Sequence, residues 1–305
     1  MTILLAGSTG TIGKAVFERL RLQEEDVFCP GRSDLATLAA LKNAFEHKRI
    51  SAVISCISTR SGAPEDAWAV DYNTQLRLMT QAADAGVERF ILLSAICVQK
   101  PMLAFQHAKC AFEQTLIASG LTYSIIRPTA FFKSLSGQVG RVQSGKPFFV
   151  FGDGRLTACK PISDRDLAQY LVDCLGDSSR HNRILPIGGP GPAITPLDQA
   201  TRLFEMAGTS ARVRHVPVAM LRGIAGGLNL AGRLSKGARI KAEFARTGLY
   251  YATESMLVWN DAAQCYDVDA TPAFGSDTLW DHYDALLCGK THVDLGAHAV
   301  FESSR

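Results

Sequence analysis

Hydrophobic and polar positions in the first half of the chain alternate between two periods. Thr2–Ala6 is a short continuous apolar run that predicts a buried strand, and Thr11–Leu22 has apolar residues at helical spacing. Val27–Cys29, Ala52–Ile57, Arg89–Ser94 and Thr122–Arg127 predict further strands, the last closed by Pro128. Leu35–Lys48, Glu65–Ala85 and Met102–Ser119 predict helices, the last two stopped by Gly86 and Gly120. Strands separated by helices of this length imply right-handed crossovers and a parallel sheet covered on both faces. The fold class is therefore α/β, a doubly wound parallel sheet. Ligands of such sheets bind at the carboxyl ends of the strands, which places Ser8, Ser58, Ser94 and Thr129 along one crevice.

After Pro128 the pattern loosens into Gly/Pro-rich connections, Gly152-Asp153-Gly154 and Gly188-Gly189-Pro190-Gly191-Pro192, with short helices between. The expected division is a nucleotide-binding domain over 1–150. Residues 151–305 form a smaller α/β substrate or lid region that partly joins the same sheet. A chain of 305 residues, 47% apolar and 20% charged, can bury a sizeable core, and its net charge of +3 argues against a nucleic-acid binder. The eight cysteines are scattered without a C-x-x-C pair and fit neither a zinc nor an iron–sulfur site. No metal is expected, and His107 and His215 read as structural. No signal or transit segment precedes the first strand and no apolar run reaches the ~20 residues of a membrane span, so an intracellular, cytoplasmic protein is expected.

Charge is unevenly distributed. Residues 212–246 hold eight basic side chains against one acidic, Glu243, and enclose the apolar, glycine-rich piece Val216–Leu234. Two readings stand: a helical lid solvated on its charged face, or a peripheral contact with a membrane or an anionic amphiphile.

Gly7-Ser8-Thr9-Gly10-Thr11-Ile12-Gly13 joins the first strand to the first helix. Gly7 permits the tight turn, Gly10 lets backbone approach a pyrophosphate, and Gly13 lets the helix pack close to the sheet. This is the fingerprint of a Rossmann-type nucleotide site. At the end of the second strand an NAD site carries Asp or Glu for the ribose 2′-hydroxyl. Here the sequence is Cys29-Pro30-Gly31-Arg32-Ser33, in which Arg32 can fork onto a 2′-phosphate and Ser33 can add a hydroxyl. The expected cofactor is NADPH.

The glycine spacing, Asn73 in the third helix, Ser94 after the fourth strand and Lys109 in the following helix together resemble the short-chain dehydrogenase/reductase superfamily. There a Tyr-x-x-x-Lys pair follows the serine; here the segment is Phe105-Gln106-His107-Ala108-Lys109, so the lysine stands without its phenol. That departure resembles the atypical branch that holds the NmrA-like and isoflavone-reductase-like proteins. More specific runs are Ser94-Ala95-Ile96-Cys97-Val98-Gln99-Lys100-Pro101, Arg127-Pro128-Thr129-Ala130-Phe131-Phe132-Lys133, Phe151-Gly152-Asp153-Gly154 and Tyr251-Ala252-Thr253-Glu254-Ser255. With these the chain resembles, from Thr2 to about Leu287, the NADPH-dependent divinyl chlorophyllide 8-vinyl-reductase family. The resemblance implies a tetrapyrrole substrate, a bacterial form and a place in chlorophyll or bacteriochlorophyll synthesis.

It also implies roles. Lys109 orients the nicotinamide ribose and adds positive potential near developing charge. Ser94 holds the carboxamide or a ring substituent, or else caps the strand end. Asn73 supports Lys109, or is a plain helix asparagine. Gly7–Gly13, Arg32, Ser33, Ser58, Pro128 and Thr129 contact the cofactor. Phe105, Phe131 and Phe132 line a flat apolar slot for the macrocycle, and Lys133, Lys160 and the basic segment are candidates for its propionate. Cys97, Tyr250, Tyr251 and water are open as proton donor. Three other readings are a reductase of another conjugated alkene, an NmrA-like redox sensor, and an assembly chaperone that holds nucleotide structurally. For a sensor, truncation near Asn182 is expected to leave nucleotide binding intact.

Overall fold

The computed structural model describes residues 2–59, 62–232 and 235–293, with Lys236 described by its backbone only. The strands are β1 (Thr2–Ala6), β2 (Asp26–Phe28), β3 (Ile50–Ser55), β4 (Arg89–Leu93), β5 (Thr122–Pro128), β6 (Phe148–Phe151), β7 (Arg183–Ile187), β8 (Val213–Val216), β9 (Val258–Asn260) and β10 (Cys265–Asp267). The first helices are α1 (Thr11–Leu22), α2 (Arg32–Ala36), α3 (Leu38–Glu46), α4 (Pro64–Ala67), α5 (Gln75–Asp84), α6 (Ala104–Ile117), α7 (Phe132–Leu135) and α8 (Val139–Gln143). They are followed by α9 (Asp164–Asp173), α10 (Pro196–Met206), α11 (Val218–Ala231), α12 (Lys236–Thr253) and α13 (Leu279–Leu287).

The chain divides into two compact units along lines different from a cut after residue 150. Unit 1 is Met1–Pro128 with Asp164–Ile187, and unit 2 is Thr129–Ser163 with Gly188–Arg305. Unit 1 is a six-stranded sheet in the order β2-β1-β3-β4-β5-β7, parallel throughout. Helices cover both faces, as expected for the doubly wound class. On one face Leu4, Val53, Phe90 and Ile125 pack with Leu41, Phe45, Leu78 and Phe112. The helices α1 and α9 pack against each other. The last strand, β7, comes from beyond residue 163 and pairs along β5 from Ser124↔Arg183 to Pro128↔Ile187. A truncation near Asn182 would therefore strip the sheet of its outer strand.

Two predicted helices are interrupted. Thr37 sits in extended conformation (φ −132°, ψ 153°) and its hydroxyl accepts from the Ala40 N–H, so the predicted 35–48 helix is α2, a break and α3. The predicted 65–85 helix contains a π-helical turn over Trp68–Thr74 between α4 and α5.

Unit 2 contains the parallel pair β6–β8 and the antiparallel pair β9–β10. Its core gathers Phe132, Val142, Phe148, Val150, Leu203, Phe204, Leu279 and Tyr283. The short helices expected after Pro128 include two longer ones, α11 and α12, which pack on each other. Among the described residues no helix is long and apolar enough to cross a membrane. Arg233, Leu234 and the side chain of Lys236, all within the basic segment, lie outside the described residues.

Candidate functional site

The β1–α1 turn has the form a dinucleotide phosphate requires. Gly7 adopts φ +82°, and a Cβ there would stand 2.7 Å from the Cys56 carbonyl oxygen. A Cβ on Gly13 would stand 2.1 Å from the Gly7 carbonyl oxygen, so the first turn of α1 is seated directly against the loop. Gly10 is the N-cap, no side chain caps the helix, and its first turn holds no acidic residue. The positive end of α1 and a loop with no room for side chains fit a pyrophosphate. Ser8 and Gly10 are half-buried, Thr9 and Thr11 exposed, and Ile12 buried beneath them. Burial pushes the Cys29 thiol up, while its hydrogen bond with Ser8 pulls it down.

Beyond β2, Arg32 and Ser33 begin α2 and are both exposed. The nearby carboxylate, Asp34, accepts the Gly31 N–H at 2.8 Å. It serves as the cap of a short helix. Ser58, just past β3, is exposed.

The centre of the site lies at the ends of β3 and β4. A small cleft is lined by Asp71, Gln75, Leu92, Leu93, Ser94, Lys109 and Phe112. Lys109 is buried on α6, and its Nζ lies 3.0 Å from Asp71 Oδ1. That oxygen also accepts the Thr59 N–H at 3.2 Å, while Oδ2, equally buried, has no hydrogen-bond partner among the described residues. Gln75 ties the π-helical segment to the strand by accepting from Ser55 Oγ at 2.7 Å. Burial pushes the Cys56 thiol up to about 12, with the Lys109 charge opposing it, so the thiol stays protonated at neutral pH.

Ser94 is tied into a buried polar network. Its hydroxyl donates to Oε1 of Glu113, a fully buried carboxylate. Arg127 donates to both oxygens of Glu113, through Nε at 3.2 Å to Oε1 and through its terminal nitrogen to Oε2. The serine proton is thus committed to a buried, paired carboxylate, and Ser94 presents lone pairs to the cleft.

Asn73 is exposed on the π-helical turn, and Asp71 stands two residues earlier as the partner of Lys109. Asp71 lies four residues after buried Ala67 and four before buried Gln75, so these three share the inward face, and Asn73 lies off it. Asp71, Glu113 and Arg127 are the site residues that sequence reasoning missed. The available signal was an acid among the apolar positions of each helix, with Glu113 one turn beyond Lys109.

In unit 2, Thr129 is buried and its hydroxyl donates to the Lys160 carbonyl. Lys160 Nζ donates to the Thr271 carbonyl at 2.8 Å, which ties that cation to the Asp269-Ala270-Thr271-Pro272 segment. Phe132 belongs to the core of unit 2 and packs on His282 at 5.5 Å between ring centroids. Phe131 and Lys133 in unit 2 and Phe105 in unit 1 are half-buried, and Pro128 is buried at the end of β5. His107 is exposed on α6, and His215 Nδ1 meets the Gly152 carbonyl at 2.9 Å. Cys97 and Tyr250 are buried and Tyr251 exposed, the two tyrosine rings meeting edge to face at 5.6 Å.

The fold and the glycine cradle place the chain in the NAD(P)H-binding Rossmann-like class. A family model described as NAD(P)H-binding matches residues 30–178. The ternary complex structure of leucoanthocyanidin reductase from Vitis vinifera shares the fold, with a TM-score of 0.68 at 15% identity over 94% of this chain and 100% of that one. The chain is 39% identical, over 98% of its length and 82% of the relative's, to divinyl chlorophyllide a 8-vinyl-reductase, chloroplastic, from Oryza sativa subsp. indica. It belongs to the divinyl chlorophyllide a 8-vinyl-reductase family. A more distant relative, photosystem II assembly factor Ycf39 from Synechocystis, is 24% identical over 73% of this chain.

Proposed function

We propose that this protein reduces the 8-vinyl group of a divinyl chlorophyllide or protochlorophyllide to ethyl with NADPH, in chlorophyll or bacteriochlorophyll synthesis. The observation that carries the reading is the 39% identity across 98% of the chain, which spans both units. The phenylalanine at position 105 supports it, because reducing a conjugated vinyl group involves no alkoxide for a phenol to protonate. When bound, NADPH supplies a hydride for the terminal vinyl carbon, and a proton on the neighbouring carbon completes the ethyl group.

In this reading Gly7–Gly13 hold the pyrophosphate and Arg32 with Ser33 the 2′-phosphate. Lys109, fixed by Asp71, orients the nicotinamide ribose and supplies positive potential to charge delocalised into the macrocycle. Ser94 accepts a hydrogen bond from the carboxamide. Phe105 and Phe131 offer apolar surface to the pigment, Lys133 a charge for its propionate, and the segment 212–246 a peripheral membrane contact.

The test is anaerobic incubation of the purified protein with divinyl chlorophyllide and NADPH, with NADH in parallel, followed by Soret absorbance and chromatographic retention. Conversion to the monovinyl pigment with NADPH is expected. NADPH binding without conversion would overturn the reading in favour of an assembly role.

A further inference from the structure

The helix α11, VAMLRGIAGGLNLA, carries a single charge, Arg222, in 14 residues. A helix this apolar is ordinarily buried. Here one stripe is covered, with Val218, Leu221, Ala225 and Leu228 at three- and four-residue spacing, and Ala225 alone is fully buried. The rest is open: Met220 is 51%, Ile224 46% and Leu230 64% exposed. Its partner α12 adds Ile240, Phe244 and Tyr251, all exposed. Isolated exposed apolar residues need no explanation, but a whole helix face does.

The surrounding charge says what covers it. Arg222, Arg239 and Lys241 are exposed on the two helices, and Arg212 and Arg214 are exposed on the segment leading into them. The one acid between residues 218 and 253, Glu243, is buried and bonded to Arg246 at 3.2 Å. An apolar face rimmed by cations is complementary to the interface of an anionic bilayer, with acyl chains beneath and headgroup charge beside. A second copy of this chain placed face to face by a two-fold axis would oppose like charges.

We propose that α11 and α12 form a hairpin that docks on anionic lipid, the apolar face of α11 entering the headgroup boundary. The proposal rests on the reductase reading only in that an amphiphilic pigment partitions into such a bilayer. Its test needs no pigment, so the two fail separately.

The full chain is floated with vesicles of phosphatidylcholine alone or mixed with phosphatidylglycerol. Recovery with the mixed vesicles and release by added salt are expected, with little recovery on phosphatidylcholine alone. Ile224→Asp combined with Leu230→Asp should lower the bound fraction about tenfold or more while nucleotide binding stays intact. Arg239→Gln with Lys241→Gln should weaken binding to the mixed vesicles by about tenfold, a surface change that tests the idea even if the aspartate pair fails to fold. No recovery on mixed vesicles at low salt, equal recovery on both compositions, or aspartate variants that change sedimentation mass instead of flotation each sink the proposal.

Discussion

The direction of the Ser94 proton decides what that serine can do. A hydroxyl that donates to Glu113 cannot also donate into the cleft, so it can take a hydrogen bond from an amide but cannot polarise a carbonyl. Ser94→Ala is expected to weaken NADPH several-fold in a fluorescence titration. Affinity for the 3-acetylpyridine analogue, which lacks the carboxamide donor, should not change; an equal loss for both would remove the role. The Asp71–Lys109 pair makes a second prediction. Removing one partner of a buried ion pair leaves the other charge stranded, so Asp71→Ala should cost about 3–5 kcal/mol in denaturant unfolding. Asp71→Leu with Lys109→Met should recover most of that stability and none of the activity. Arg32→Ala should raise the Kd for NADPH by roughly 10-fold or more and leave NADH nearly unchanged, since only NADPH has a phosphate for the guanidinium to fork. Equal effects on both nucleotides would return Arg32 to the status of a solvated surface charge.

Elements differ in how much of them the amino-acid pattern reveals. The strands β1, β3, β4 and β5 stand out because each carries a buried apolar stretch, Ile3–Ala6, Ala52–Ile54, Phe90–Leu92 and Ile125–Ile126, and the glycine loop stands out because its conformation has a steric requirement. Gly13→Ala tests that requirement: with 2.1 Å between the new Cβ and the Gly7 oxygen, the loop or α1 must move, and loss of both NADPH binding and several degrees of Tm is expected. The breaks in helices are less legible. Thr37 is a good cap but also an ordinary helix residue, and helical periodicity continues through it. The π-helical turn has no spacing signature either. Buried networks such as Glu113–Arg127 join residues distant in sequence, and only the packed sheet brings them together.

For the whole molecule, acid sensitivity should begin in unit 2. Burial lowers the His282 pKa, where the ring contacts Phe132 and meets Ser136 Oγ at 3.0 Å. A histidine kept neutral in the native state binds fewer protons than in the unfolded chain. Its contribution is therefore complete above the unfolded value near 6.5 and is lost as pH falls below it. Between about pH 7.5 and about pH 5.5 the wild type should lose more Tm than His282→Gln; parallel slopes would show that other groups carry the acid response.

The place of β7 has a consequence for synthesis. A chain leaving the ribosome presents the first five sheet strands with β5 as a bare edge, an adhesive surface until it is paired. The strand that covers it lies past the first segment of unit 2. The nucleotide-binding sheet therefore cannot close before that segment has emerged. The two units are interleaved in time as well as in sequence, and an early ribosomal arrest should yield an aggregation-prone nascent chain rather than a finished domain.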